Sequence, residues 1–149
     1  MNQSEAMEIL LVEDNDFDAE LTMRALKQYN LANQVTRFAD GQEALDYLFQ
    51  LEITQKAERR TNPKLILLDI KLPGLSGLEV LQAIRSDPKT RCIPVVVLTS
   101  STEEEDVIKS YELGVNSFIS KPVEFDDFME TVKNLGLYWM LMNKTPDHF

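Results

Sequence analysis

Three short, unbroken apolar runs decide most of what this chain can fold into: EILLV (8–12), LILL (65–68) and IPVVVL (93–98). A strand with one wet face alternates polar and apolar residues. These runs do not alternate, so they predict strands covered on both faces, as in a parallel sheet. Helix-like segments lie between them. One runs from Phe17 to Tyr29 with Asn15 or Asp16 as N-cap, one from Gln42 to Phe49, and one from Leu78 to Ile84 opened by Ser76-Gly77. A fourth spans Glu103 to Leu113 after Ser101-Thr102, with Gly114 as its C-cap. QVTRFA (34–39) alternates and predicts an edge strand, and SFIS (117–120) predicts a short strand stopping at Lys121-Pro122. The last helix is expected from near Glu124 to about Met142, and an exposed connection from about Leu51 to Lys64. Five strands alternating with five helices predict a doubly wound α/β fold, and 149 residues fit one domain, 1–149.

Composition narrows the function by exclusion. The net charge is −10, and direct nucleic-acid binding depends on neutralising phosphates with Lys and Arg. The local basic cluster KAERR (56–60) reads as a solvated loop. Cys92 is the sole cysteine, which rules out an internal disulfide and a multi-cysteine metal site, and a reducing, cytoplasmic location is expected. The opening MNQSEAMEILLVED has no basic n-region, and no stretch reaches ~18 consecutive apolar residues, so neither a leader nor a membrane span is expected.

In open parallel sheets, chemistry gathers at the carboxyl ends of the strands. Here the first strand ends in Glu13-Asp14, the third in Asp69, the fourth in Thr99-Ser100 and the fifth in Lys121. Each has an ordinary explanation alone: a helix opening, a solvated strand end, a helix entry, a turn. In register on one sheet edge they form a constellation. Three crowded carboxylates raise one another's pKa values, and the single charge of Lys121 is too little to balance them. A hard divalent ion such as Mg²⁺ fits, because it prefers oxygen ligands and retains waters that a phosphoryl oxygen can replace. Asp69 is then a candidate nucleophile forming an acyl phosphate, with Lys121 and the Thr99 hydroxyl stabilising the transferring group. The acids EEED (103–106) are read as complementing a helix dipole, and Cys92 as inert.

The segments LLVEDN (10–15), LILLDIKLPGLSG (65–77), IPVVVLTSS (93–101) and FISKPV (118–123) resemble the response-regulator receiver domain of two-component signalling. The resemblance implies a flavodoxin-like fold with strand order 2-1-3-4-5. It implies that Asp69 is phosphorylated, that Asp14 binds Mg²⁺ directly and Glu13 through water, and that the Lys71 carbonyl is a further ligand. It also implies that Thr99 and Phe118 form the switch, and that the Lys121–Pro122 bond is cis. EDNDFDAEL (13–21), RCIPVVVLTSSTEEEDVIKSYELGVNSFISKP (91–122) and LYWM (137–140) are similar to single-domain regulators paired with phytochrome kinases of cyanobacteria and bacteria. A phytochrome-like histidine kinase is the partner so implied. His148, the only histidine, sits at the extreme tail and is poorly placed as an internal phosphodonor.

The expected function is a signalling switch rather than an enzyme. With no output domain expected, it signals through the face made by the fourth helix, fifth strand and last helix. Phe125, Phe128, Val132, Leu135, Trp139 and Met142 recur at helical spacing, and further apolar residues spread beyond that stripe. This predicts a homodimer through the last helix. Two rivals stand against the switch. One is an aspartate-nucleophile Mg²⁺ phosphohydrolase of the haloacid-dehalogenase type, which usually carries a second acid where Lys71 stands. The other is an interaction module that works without phosphorylation.

Overall fold

The computed structural model describes residues 8–27, 34–50, 62–100 and 111–134. Five parallel strands form one sheet in the order β2-β1-β3-β4-β5. They are β1 (Glu8–Val12), β2 (Gln34–Phe38), β3 (Leu65–Asp69), β4 (Val95–Thr99) and β5 (Ser117–Ser120). The helices among the described residues are α1 (Asp16–Lys27), α2 (Gly41–Gln50), α3 (Gly77–Ser86) and α4 (Phe125–Asn134). This is the doubly wound α/β architecture and strand order expected, with QVTRF on the edge. The helix expected from Glu103 falls mostly outside the described residues. Its end is seen at 111–112, followed by Gly114 at φ +93, a left-handed conformation that suits a glycine C-cap.

The pleat explains why the apolar runs are unbroken. Successive side chains point to opposite faces of a strand. Leu10, Val12, Ile66, Leu68, Val95 and Val97 pack on one face with Ala44, Leu45, Leu48, Val80, Leu81 and Ile84 of α2 and α3. Ile9, Leu11, Leu65, Leu67, Val96 and Leu98 pack on the other with Ala19 and Leu26 of α1 and Phe128 and Val132 of α4. Both faces are dry, so both parities must be apolar, and β3 and β4 are buried at every position.

Parallel register brings the strand ends to a common edge. Val12 stands beside Leu68, Asp69 beside Leu98, and Thr99 beside Ser120. The ladder continues one residue past three strands, with Glu13 N–H donating to the Phe38 carbonyl (3.0 Å), Ile70 N–H to Leu98 (3.2 Å) and Lys121 N–H to Thr99 (3.0 Å). At the opposite end, Arg85 of α3 donates to the carbonyls of Gly114, Arg91 and Ile93 and to Asn116 Oδ1, tying α3 to the segments that flank β4.

Candidate functional site

Glu13 and Asp14 follow β1, and two local devices fix the turn they occupy. Asn15 is the N-cap of α1, its Oδ1 accepting from Asp18 N–H at 2.8 Å, while its own N–H donates to Glu13 Oε2 at 3.1 Å. Arg37, at the end of β2, forks onto the Glu13 carbonyl through Nε (3.0 Å) and Nη2 (2.7 Å), and its Nη1 pairs with Asp16 at 3.0 Å. The backbone between Glu13 and the first turn of α1 is thus held from both sides.

Asp69 ends β3 and is nearly buried, at 4% exposure. Its Oδ1 accepts from the Lys71 N–H at 3.1 Å and its Oδ2 from Lys121 Nζ at 3.3 Å. Directly behind it, α3 starts with a capping box: Ser76 Oγ accepts from Glu79 N–H, and Glu79 accepts from Ser76 N–H. Gly77 lies so close that a Cβ there would fall on the Asp69 carbonyl oxygen and 2.6 Å from Ile70 Cα.

Lys121 follows β5, and its peptide bond to Pro122 is cis, as expected. Its Nζ reaches Glu13 Oε1 at 3.0 Å, Asp18 Oδ2 at 3.1 Å and Asp69 Oδ2 at 3.3 Å. Thr99 is buried at the end of β4, the neighbouring strand. Phe118 is half-buried against the core face of α2 and α3, and its ring meets that of Tyr111 with centroids 4.9 Å apart. Tyr111 is 55% exposed, so the aromatic pair reaches from core to surface.

At Glu13, burial and a neighbouring acid act in the same direction. Burial raises the Glu13 pKa from 4.5 to about 7, and the charge of Asp69 adds to this against the opposing hydrogen bond from Lys121. Burial works against the Lys121 ammonium, yet its hydrogen bond to Glu13 and the nearby carboxylate charges outweigh that and raise its pKa. One oxygen each from Glu13, Asp14 and Asp69 lies within 4.8 Å of the others, and Asp14 is exposed to solvent while its two companions are buried. An all-oxygen donor set of this size, opening to water on one side, fits a hard divalent cation. Glu13, Asp18 and Asp69 share the one ammonium of Lys121 and Asp14 adds a further carboxylate beside Glu13 and Asp69, which leaves negative charge for such an ion to neutralise.

The model of the response regulator receiver domain matches residues 9–133. The chain belongs to this family. Among curated relatives, this receiver is 41% identical to the probable methanogenesis regulatory protein FilR2 of Methanothrix harundinacea, over 93% of this chain and 86% of that one. It is 39% identical to the response regulator Rcp1 of Synechocystis sp., over 89% and 88%. Among solved structures, the bacteriophytochrome response regulator RtBRR aligns with a TM-score of 0.79 and 52% identity, covering 94% of this chain and 84% of its own. The phosphorylated cyanobacterial phytochrome response regulator RcpA aligns with a TM-score of 0.72 and 39% identity, over 94% and 98%. The Mn²⁺-bound form of Rcp1 aligns with a TM-score of 0.72 and 38% identity, over 94% and 99%. Together with the acidic cluster, a manganese-bound relative is consistent with a divalent-metal site in this receiver.

The structure gathers Glu13, Asp14, Asp69 and Lys121 at one sheet edge, with Thr99 closing the neighbouring strand and Lys71 donating its N–H. Sequence reasoning missed Asp18 and Arg37. Asp18 carried only the signal of an acid in the first turn of the helix that follows Glu13-Asp14. Arg37 carried the weaker signal of a cation near the end of an edge strand. Among the described residues no helix is long and apolar enough to cross a membrane.

Proposed function

We propose that this chain is a phosphorylation-activated signalling switch, not an enzyme, in which a phytochrome-like histidine kinase transfers a phosphoryl group to Asp69. Mg²⁺ is the cofactor, held by Asp14, Asp69 and the Lys71 carbonyl, with Glu13 acting through water. When bound, it supplies positive charge that neutralises the transferring group. The observation that carries the proposal is the setting of Asp69: a nearly buried carboxylate with one oxygen fixed by Lys71 N–H and the other by Lys121 Nζ, beside two further acids.

The chain's own residues divide the work. Lys121 keeps its ammonium at the Asp69 oxygen, where it faces charge on an incoming phosphoryl group. Thr99 supplies a hydroxyl that donates to a phosphoryl oxygen. Lys71 cannot act as the second acid of a hydrolase. Likeness to phosphorylated RcpA supports Asp69 as acceptor, and likeness to RtBRR and Rcp1 supports a phytochrome-like kinase. The Tyr111–Phe118 contact supports an output face near β5, where the Phe118 ring repacks on activation. A second copy of the chain, docked through the last helix, and a cytoplasmic location complete the proposal.

The test compares labelling with turnover. Incubated with Mg²⁺ and acetyl phosphate, the protein gains one phosphoryl group and Asp69→Asn gains none, read by intact mass. Sustained release of inorganic phosphate from many phosphate esters, with no labelled protein, would instead indicate a hydrolase. No labelling at all would indicate a phosphorylation-independent module.

A further inference from the structure

Lys121 holds more acids than the phosphoacceptor site requires. An ammonium has three donors. Here Nζ faces Glu13 Oε1 (3.0 Å) and Oε2 (3.3 Å), Asp69 Oδ2 (3.3 Å) and Asp18 Oδ2 (3.1 Å). Glu13 and Asp69 belong, with Asp14, to the trio whose carboxylate oxygens lie within 4.8 Å of one another. Asp18 does not. It projects from the first turn of α1, where its N–H is locked to Asn15 Oδ1, and its side chain is 27% exposed against 9% for Lys121.

We propose that Asp18 is a positioning residue that competes with the phosphoryl group for the Lys121 ammonium, and so restrains how readily Asp69 is phosphorylated. This rests on the phosphoacceptor reading above. When Asp69 is phosphorylated, its carboxylate charge is replaced by the greater charge of the phosphoryl oxygens. Lys121 must then turn a donor toward them. Glu13 is then shared between the ion and Lys121, so Asp18 is the one carboxylate partner of Lys121 outside the ion trio. The sign of the effect follows from the other contacts. Glu13 and Asp69 hold Nζ at the site without Asp18, so loss of the carboxylate does not set Lys121 adrift. What is lost is a negative charge 3.1 Å from the cation that must receive an anionic phosphodonor.

The experiment uses the full chain at saturating Mg²⁺ with acetyl phosphate, following labelling by intact mass. An Asp69 carboxylate oxygen bonds to phosphorus as the phosphorus–acetyl oxygen bond breaks, and acetate leaves with the electron pair. Asp18→Asn is expected to label about three- to tenfold faster than the wild type. Asp18→Glu, which restores the charge, is expected to return toward the wild-type rate. Mg²⁺ affinity, measured separately by calorimetry without phosphodonor, is expected to stay within about twofold, because Asp18 is not a ligand. If Asp18→Asn is poorly folded by thermal melt, Asp18→Ser removes the same charge and suits a helix start. A rate equal to or below wild type in the neutral variant overturns the proposal, as does a rate gain that tracks a change in Mg²⁺ affinity. If the wild type itself does not label, the phosphoacceptor reading fails and this inference falls with it.

Discussion

Glu13 shows how one side chain couples the site to pH. It is fully buried beside Asp69, and its pKa of about 7 lies above the ordinary value of 4.5. A raised carboxyl pKa means that folding favours the protonated form. The stabilisation is therefore fully present below pH 4.5 and is lost as pH rises through about 7. In EDTA, Glu13→Gln is expected to raise the melting temperature relative to wild type at pH 8, with the difference shrinking toward pH 4.5. A gain that grows as pH falls would contradict this. The strand-end rule exposed Glu13 in the sequence because it follows an apolar run. It did not expose Asp18 or Arg37, which reach the site from a helix turn and from the end of a neighbouring strand.

At the scale of elements, the junction between β3 and α3 sets where Asp69 points. Gly77 starts α3 against the backbone of Asp69 and Ile70, and its N–H donates to the Ile70 carbonyl at 3.1 Å. A methyl group there meets backbone rather than a flexible side-chain end, so neither partner can yield cheaply. Gly77→Ala is expected to destabilise the fold by about 1–3 kcal/mol, as overpacked sites do, read by denaturant titration. It is also expected to slow labelling of Asp69 in the fraction that folds. An unchanged midpoint and unchanged labelling would show that the junction relaxes. Ser76-Gly77 was legible as a helix opening, because the capping chemistry is local. The glycine's tight approach to β3 was not, because it depends on a strand eight residues and more away in the chain. Helix ends moved by one or two residues from their expected positions: α1 starts at Asp16 rather than Phe17, since Asn15 takes the cap.

At the scale of the whole molecule, topology was the most legible feature. Two dry faces demand apolar residues of both parities in β1, β3 and β4, and that demand is written directly in the chain. Phe128 and Val132 of the expected C-terminal stripe are buried in the face shared with α1. Leu135, Trp139 and Met142 of that stripe lie outside the described residues. If the last helix joins two copies, sedimentation equilibrium at micromolar concentration is expected to give twice the mass of one chain. A monomer both with and without phosphorylation would remove the dimer. Distances between side chains from different elements, such as Lys121 to Asp18, need the assembled sheet and are beyond periodicity.

The central claim is that one pocket joins a divalent ion to Asp69 as phosphoacceptor. The most direct measurement is peptide mapping of the protein after acetyl phosphate treatment, with Mg²⁺ and with EDTA. The account predicts one phosphoryl group on the peptide carrying Asp69 in Mg²⁺, and none in EDTA. Labelling elsewhere in the chain, or equal labelling of Asp69 in EDTA, would contradict it.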